Sequence, residues 1–138
     1  MQNIALRETP QPIPHILAYR HERVLQRYMT DNKGTLADAE RIFAAFKQFM
    51  IVCSIKPGRK ITSGPIDNMW HSFLLFTRDY KSFCEQYLGR FINHEPFERA
   101  APYIYLETRA FTKDFFGRID EKAWPVEAKS DCTSGCEE

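Results

Sequence analysis

TLADAERIFAAFKQFMIVC, the stretch from Thr35 to Cys53, returns an apolar side chain every three or four positions: Ala39, Phe43, Phe46, Met50 and Cys53. That period lines all five along one side of an α-helix and leaves Asp38, Arg41, Lys47 and Gln48 facing away. Thr35 precedes the run as the expected N-cap, its hydroxyl placed to accept from a backbone N–H that has no partner inside the helix. Lys56-Pro57-Gly58 ends it, because Pro and Gly together mark a turn. A stripe this apolar needs partner helices, and the flanking sequence supplies them.

On the N-terminal side, Pro10, Pro12 and Pro14 predict an extended segment, with Pro14 placed as a first helical residue whose missing N–H is not needed. Leu17, His21, Val24, Leu25, Tyr28 and Met29 then predict one helix to about Thr30, ended by Asp31-Asn32-Lys33-Gly34. On the C-terminal side, Ser63-Gly64-Pro65 opens a helix in which Ile66, Met69, Trp70, Phe73, Leu74, Leu75 and Phe76 cover nearly the whole circumference, the pattern of a buried helix. Thr77-Arg78-Asp79 bends it. Tyr80, Phe83, Cys84, Tyr87 and Leu88 continue a stripe that Gly89 terminates. Arg90 to Ala101 lacks a period and reads as an irregular link. A last helix is expected from Pro102 to Phe116, with Ile104, Ala110, Phe111 and Phe115 inward and Gly117 closing it. The fold class is all-α, a single compact domain of about four to five helices. An extended segment (1–13) precedes the helical domain (14–125), and a flexible Cys-containing tail (126–138) follows it.

A length of 138 residues suits one domain with a real core, and 43% hydrophobic with 14% aromatic residues excludes a disordered chain. A formal net charge of +1 gives no broad field to attract nucleic acid or an anionic membrane. Apolar runs such as Phe49 to Cys53 fall far short of the roughly 20 residues that span a bilayer, so no membrane segment is expected. Met1 to Pro14 has no apolar core of a secretory signal, which predicts a cytoplasmic protein whose four cysteines are reduced thiols or metal ligands rather than a disulfide framework.

Chemistry concentrates in Asp67-Asn68-Met69-Trp70-His71, followed by Cys84 and His94. Asp67 and His71 are four apart and share a helix face at the edge of an apolar surface, so both polar groups need partners. The leading reading is a divalent metal site, zinc ahead of iron, with His71, His94 and Asp67 or Cys84 as ligands, since imidazole, carboxylate and thiolate are the groups zinc takes. In the second, Asp67 and His71 form a structural hydrogen-bonded pair in a metal-free interaction or scaffold domain with a protein partner. In the third, a small hydrolase-like enzyme uses Asp67 to orient His71 as base while Cys84 or water attacks. Of the remaining features, Cys132 and Cys136 read as unpaired tail thiols ahead of a small disulfide or a modification site. Lys56 to Lys60 reads as a solvated basic loop, and His15 and His21 are assigned no site.

The run Ile66 to His71, then Tyr80, Gly89-Arg90-Phe91 and His94, resembles the D-x-x-W-H, Tyr, Gly, His signature of the glycine-rich domain-containing protein-like family over roughly residues 35 to 125. The resemblance implies an all-α domain of poorly defined role, with Asp67, Trp70, His71, Tyr80, Gly89 and His94 carrying the match. Trp70, Tyr80 and Gly89 are expected to support the site structurally. Phe73 stands where many relatives have a second His, and the glycine-rich region is missing.

Overall fold

The computed structural model describes residues 11–126 and 134–137. Its longest helix begins where Thr35 accepts from the Asp38 N–H at 3.1 Å while the Asp38 carboxylate accepts from the Thr35 N–H at 3.2 Å. This reciprocal box satisfies two backbone donors at once and sets the start of α3, Leu36–Ile55. Beyond Phe49 every residue of α3 is buried. The helix is therefore a central axis and not a surface helix, with α1 (Ile13–Ala18), α2 (Glu22–Asn32), α4 (Gly64–Leu74) and α6 (Pro102–Phe116) packed around it.

The single helix expected from Pro14 to Thr30 is two. The chain leaves helical geometry at Tyr19, and α2 restarts after His21, whose ring nitrogen accepts from the Val24 N–H at 3.2 Å. The other ring nitrogen lies 2.7 Å from Asp79, so a histidine read as part of an apolar stripe is a cap tied to a distant carboxylate. The break also explains Lys47, expected on the polar face and found buried. Its ammonium donates to the Leu17 and Tyr19 carbonyls that the end of α1 leaves open, and it lies 5.0 Å from the Phe43 ring centre.

α4 is less enclosed than its composition predicts. Ile66, Met69, Trp70 and Phe73 are buried, while Asn68, His71 and Leu75 form an exposed stripe. α5 (Thr77–Phe83) runs into one π-helical turn, Cys84–Leu88, closed by Gly89 in the left-handed region at φ 87°. α6 has the expected ends, but Tyr105, Thr108 and Thr112 are its buried face, and Ala110 and Phe115 are exposed. The two threonines go inward because each hydroxyl donates to a carbonyl one turn back, Thr108 to Ile104 and Thr112 to Thr108, so neither hydroxyl is left bare.

The helices are supplemented by a three-stranded antiparallel sheet in the order β1 (Lys60–Ile61), β3 (Ser134–Cys136), β2 (Glu95–Pro96). Residues 134–136, placed by sequence within the tail, thus supply the middle strand. Ile61 and Glu95 both pair with Gly135, and a Cβ there would lie 1.8 Å from the Lys60 carbonyl oxygen, so only glycine fits. Cys136 forms a disulfide with Cys53 of α3, which corrects the expectation of reduced thiols and of an unpaired Cys136 in the tail. Cys132 and the N-terminal residues 1–10 lie outside the described residues. The basic loop is not simply solvated either. Lys60 is buried, with its ammonium on the Lys56 carbonyl, and Arg59 pairs with Glu137 at 3.1 Å while covering Phe97. Among the described residues no helix is long and apolar enough to cross a membrane.

Candidate functional site

Ser63 accepts from the Ile66 N–H and so fixes the first turn of α4, where Asp67 follows. A carboxylate is favoured there by the partial positive charge of the helix N-terminus. One turn on, His71 returns to the same face, its Nε2 3.4 Å from Asp67 Oδ2. His94 arrives from the link after the π-helical turn and places its Nε2 2.7 Å from Asp67 Oδ1. One carboxylate thus spans two imidazoles, each on its own oxygen. The rings of the two histidines are 4.8 Å apart centre to centre, and one ligand atom from each of the three residues falls within 4.8 Å of the others.

The link that delivers His94 is held at several points. Tyr80, fully buried, accepts from the Trp70 indole N–H at 3.0 Å and donates its own proton to the Ile92 carbonyl. Arg90 donates to the Cys53 carbonyl at 2.8 Å. The edge of Trp70 then meets the His94 ring, with centres 4.5 Å apart. Gly89 supplies the left-handed turn that starts the link. Trp70 and Tyr80 thus touch the link that bears His94, and Gly89 begins it.

Exposure is uneven across the group: the Asp67 and His94 side chains are 19% and 16% exposed, against 55% for His71. Two members are fixed in the protein wall and the third is the open side. The sequence singles out His71 as the structural partner of Asp67, but the tighter contact is to His94, 27 residues away. Cys84 is not part of the group. It lies with Tyr80, Phe83 and Leu88 on the core-facing side of α5 and its π-helical turn, fully buried. The enzyme reading asked for a pocket shared by Asp67, His71 and Cys84. His71 instead lines a cavity of about 250 Å³ with Asp31, Asn32, Asn68, Ser72 and Leu75. Asp31 and Asn32, at the end of α2, carry no sequence signal of their own for this position, which arises only from the packing of α2 on α4.

A family model described as UCP032817-like matches residues 13–102, from the first residue of α1 to the first of α6, and includes Asp67, His71 and His94. This match overturns the resemblance to the glycine-rich domain-containing protein-like family, since the model that matches the chain is of a different family. No curated protein matches the chain, and no solved structure does.

Proposed function

The chain belongs to the UCP032817-like family, and from that premise, which brings no reaction with it, we propose that this helical domain binds a divalent metal, zinc foremost, through Asp67, His71 and His94. The observation that carries the reading is the convergence of two imidazole Nε2 atoms and one carboxylate within 4.8 Å. Tetrahedral zinc with bonds near 2.0–2.1 Å needs ligand atoms ~3.3 Å apart. The contacts of 3.4 Å to His71 and 2.7 Å to His94 are made to different oxygens of Asp67, and the three ligand atoms spread over as much as 4.8 Å, so closing on one ion requires the exposed His71 ring to swing inward and Asp67–His94 to open. Two histidines and a carboxylate form a ligand set that leaves a coordination position for water or substrate. The exposed side of His71 and the cavity beside it give that position access from solvent. Zinc so held supplies Lewis acidity, while His94 and Asp67 are kept in place by Trp70 and Tyr80.

A second reading is favoured by the 2.7 Å Asp67–His94 contact, which satisfies both groups with no ion. In it the pair locks the link onto α4, and the protein is a metal-free scaffold whose exposed His71 face meets a protein partner. Elemental analysis by mass spectrometry separates the two, on tag-free wild type, His71→Ala and His94→Ala equilibrated with zinc and desalted. The metal reading expects near-stoichiometric zinc in the wild type and loss in both variants. A metal-free wild type refutes it and leaves the structural pair.

A further inference from the structure

His94 is followed directly by β2, and among the described residues the sheet partner of β2 is β3 alone. β3 in turn is bonded covalently to the core through Cys136 and Cys53. Glu95 pairs with Gly135, so the residue beside the candidate ligand and the residue beside the disulfide face each other across one rung. Cys53 meets the same link a second time, since its carbonyl accepts from Arg90. The His94 segment is thus tied to α3 on one side by Arg90, on the Cys53 and Ser54 carbonyls, and on the other by β3 and its disulfide.

We propose that the Cys53–Cys136 disulfide is a redox control on the metal site, with the oxidised form holding His94 in the ligand position and the reduced form releasing it. The proposal rests on the metal reading given above. The reductant is a dithiol. Its thiolate attacks one sulfur to form a mixed disulfide, and the other sulfur leaves as a thiolate that takes up a proton. The second thiol of the reductant then displaces the remaining cysteine as a thiol, so two electrons and two protons pass to the protein and the dithiol becomes a disulfide. Both protein sulfurs are buried, and attack requires local opening of the three-residue strand β3. With the bond gone, β3 is left with short backbone pairings and the exposed Arg59–Glu137 ion pair, and its hold on β2 weakens. Linkage makes the effect reciprocal: metal that binds the oxidised form more tightly makes the disulfide harder to reduce at equilibrium.

The test uses the full chain in its oxidised form and after treatment with a phosphine reductant that is then removed by anaerobic desalting, with zinc affinity read by competition with a chromogenic chelator. Loss of affinity of about 10- to 100-fold on reduction is expected, the range seen when residues supporting a metal ligand are removed. Far-UV circular dichroism should be unchanged, and reoxidation should restore binding. The double variant Cys53→Ser/Cys136→Ser should bind zinc as the reduced wild type does and ignore the reductant. Equal affinity in the two redox states overturns the control and leaves the metal site standing. No zinc binding in the oxidised wild type removes both. Affinity lost only together with the helical signal also overturns the proposal, because release would then be global unfolding and not local. A disulfide that is harder to reduce at equilibrium against a thiol–disulfide buffer in the presence of zinc supports the coupling from the other side.

Discussion

Replacing Tyr80 with Phe removes one oxygen atom and separates the support of the site from its metal chemistry. The ring contacts remain: Phe73 and Phe91 both lie 5.4 Å from the Tyr80 ring centre. What disappears is an acceptor for the Trp70 indole N–H and a donor to the Ile92 carbonyl, in a place where Trp70, Tyr80 and Ile92 are all within 1% of complete burial. Each buried group left without a partner costs about 1–3 kcal/mol, so the pair amounts to roughly 2–4 kcal/mol once some relaxation is allowed. For 138 residues, an unfolding entropy near 2.1 cal/mol/K per residue converts this into a fall in Tm of about 7–14 °C. Thermal unfolding followed by circular dichroism, with and without added zinc, measures it. A fall of less than about 2 °C would mean that neither group depends on the hydroxyl, and the account of how His94 is aimed would be wrong. A normal fall in Tm with undiminished zinc affinity would separate the two roles, leaving Tyr80 important for stability but not for the site.

Other outcomes follow from the same contacts. Burial, helped by the charge of Arg20, pulls the Lys47 amine down to about 8 from 10.5. Between those values the unfolded chain holds one more proton than the folded one, so wild-type stability should rise with pH across that window by at most about 3 kcal/mol. Burial of Tyr19 pushes its phenol up to about 12, which lowers stability above pH 10. The difference between wild type and Lys47→Met in urea unfolding at a series of pH values therefore isolates the lysine, and parallel curves would refute its role. Gly135→Ala should destabilise by about 2 kcal/mol or more, because its Cβ meets the Lys60 carbonyl, whereas Gly34→Ala meets nothing nearer than 3.6 Å and should be close to neutral. Equal urea midpoints for the two would contradict the register of β3.

What could be read from sequence was what local chemistry fixes. Thr35, Pro102 and Gly117 mark helix ends by interactions spanning a few residues, and these boundaries are found where the pattern puts them, with Asp38 completing the cap at Thr35 unread. Asp67 and His71 were legible together for the same reason, as neighbours one turn apart. Contacts closed over long distances had no such sign. Cys53 sits in an apolar stripe and reads as a small core residue, and nothing near Cys136 points across 83 residues to it. The buried face of α6 was half read: Ile104 and Phe111 pack against the core as expected, but Ala110 and Phe115 are exposed, while Thr108 and Thr112 satisfy their own hydroxyls and go inward. Cys84 was a plausible ligand by type alone, and its position on the core-facing side of α5 and its π-helical turn rules it out of the cluster.

The Cys53–Cys136 bond also divides the chain into unequal covalent territories. Everything from Cys53 to Cys136 forms one closed loop, in which Asp67, His71 and His94 all lie, and the segments bearing α1 and α2 are outside it. A single backbone cut within the loop, for instance in the irregular stretch after Pro96, leaves the two pieces joined and the site residues on one molecule. A cut in the short connection between α2 and α3 instead detaches α1 and α2 from everything that bears the site, and with them Asp31 and Asn32, one wall of the cavity beside His71. In its oxidised form the protein thus guards its candidate ligands against fragmentation more securely than it guards the surface through which anything would reach them.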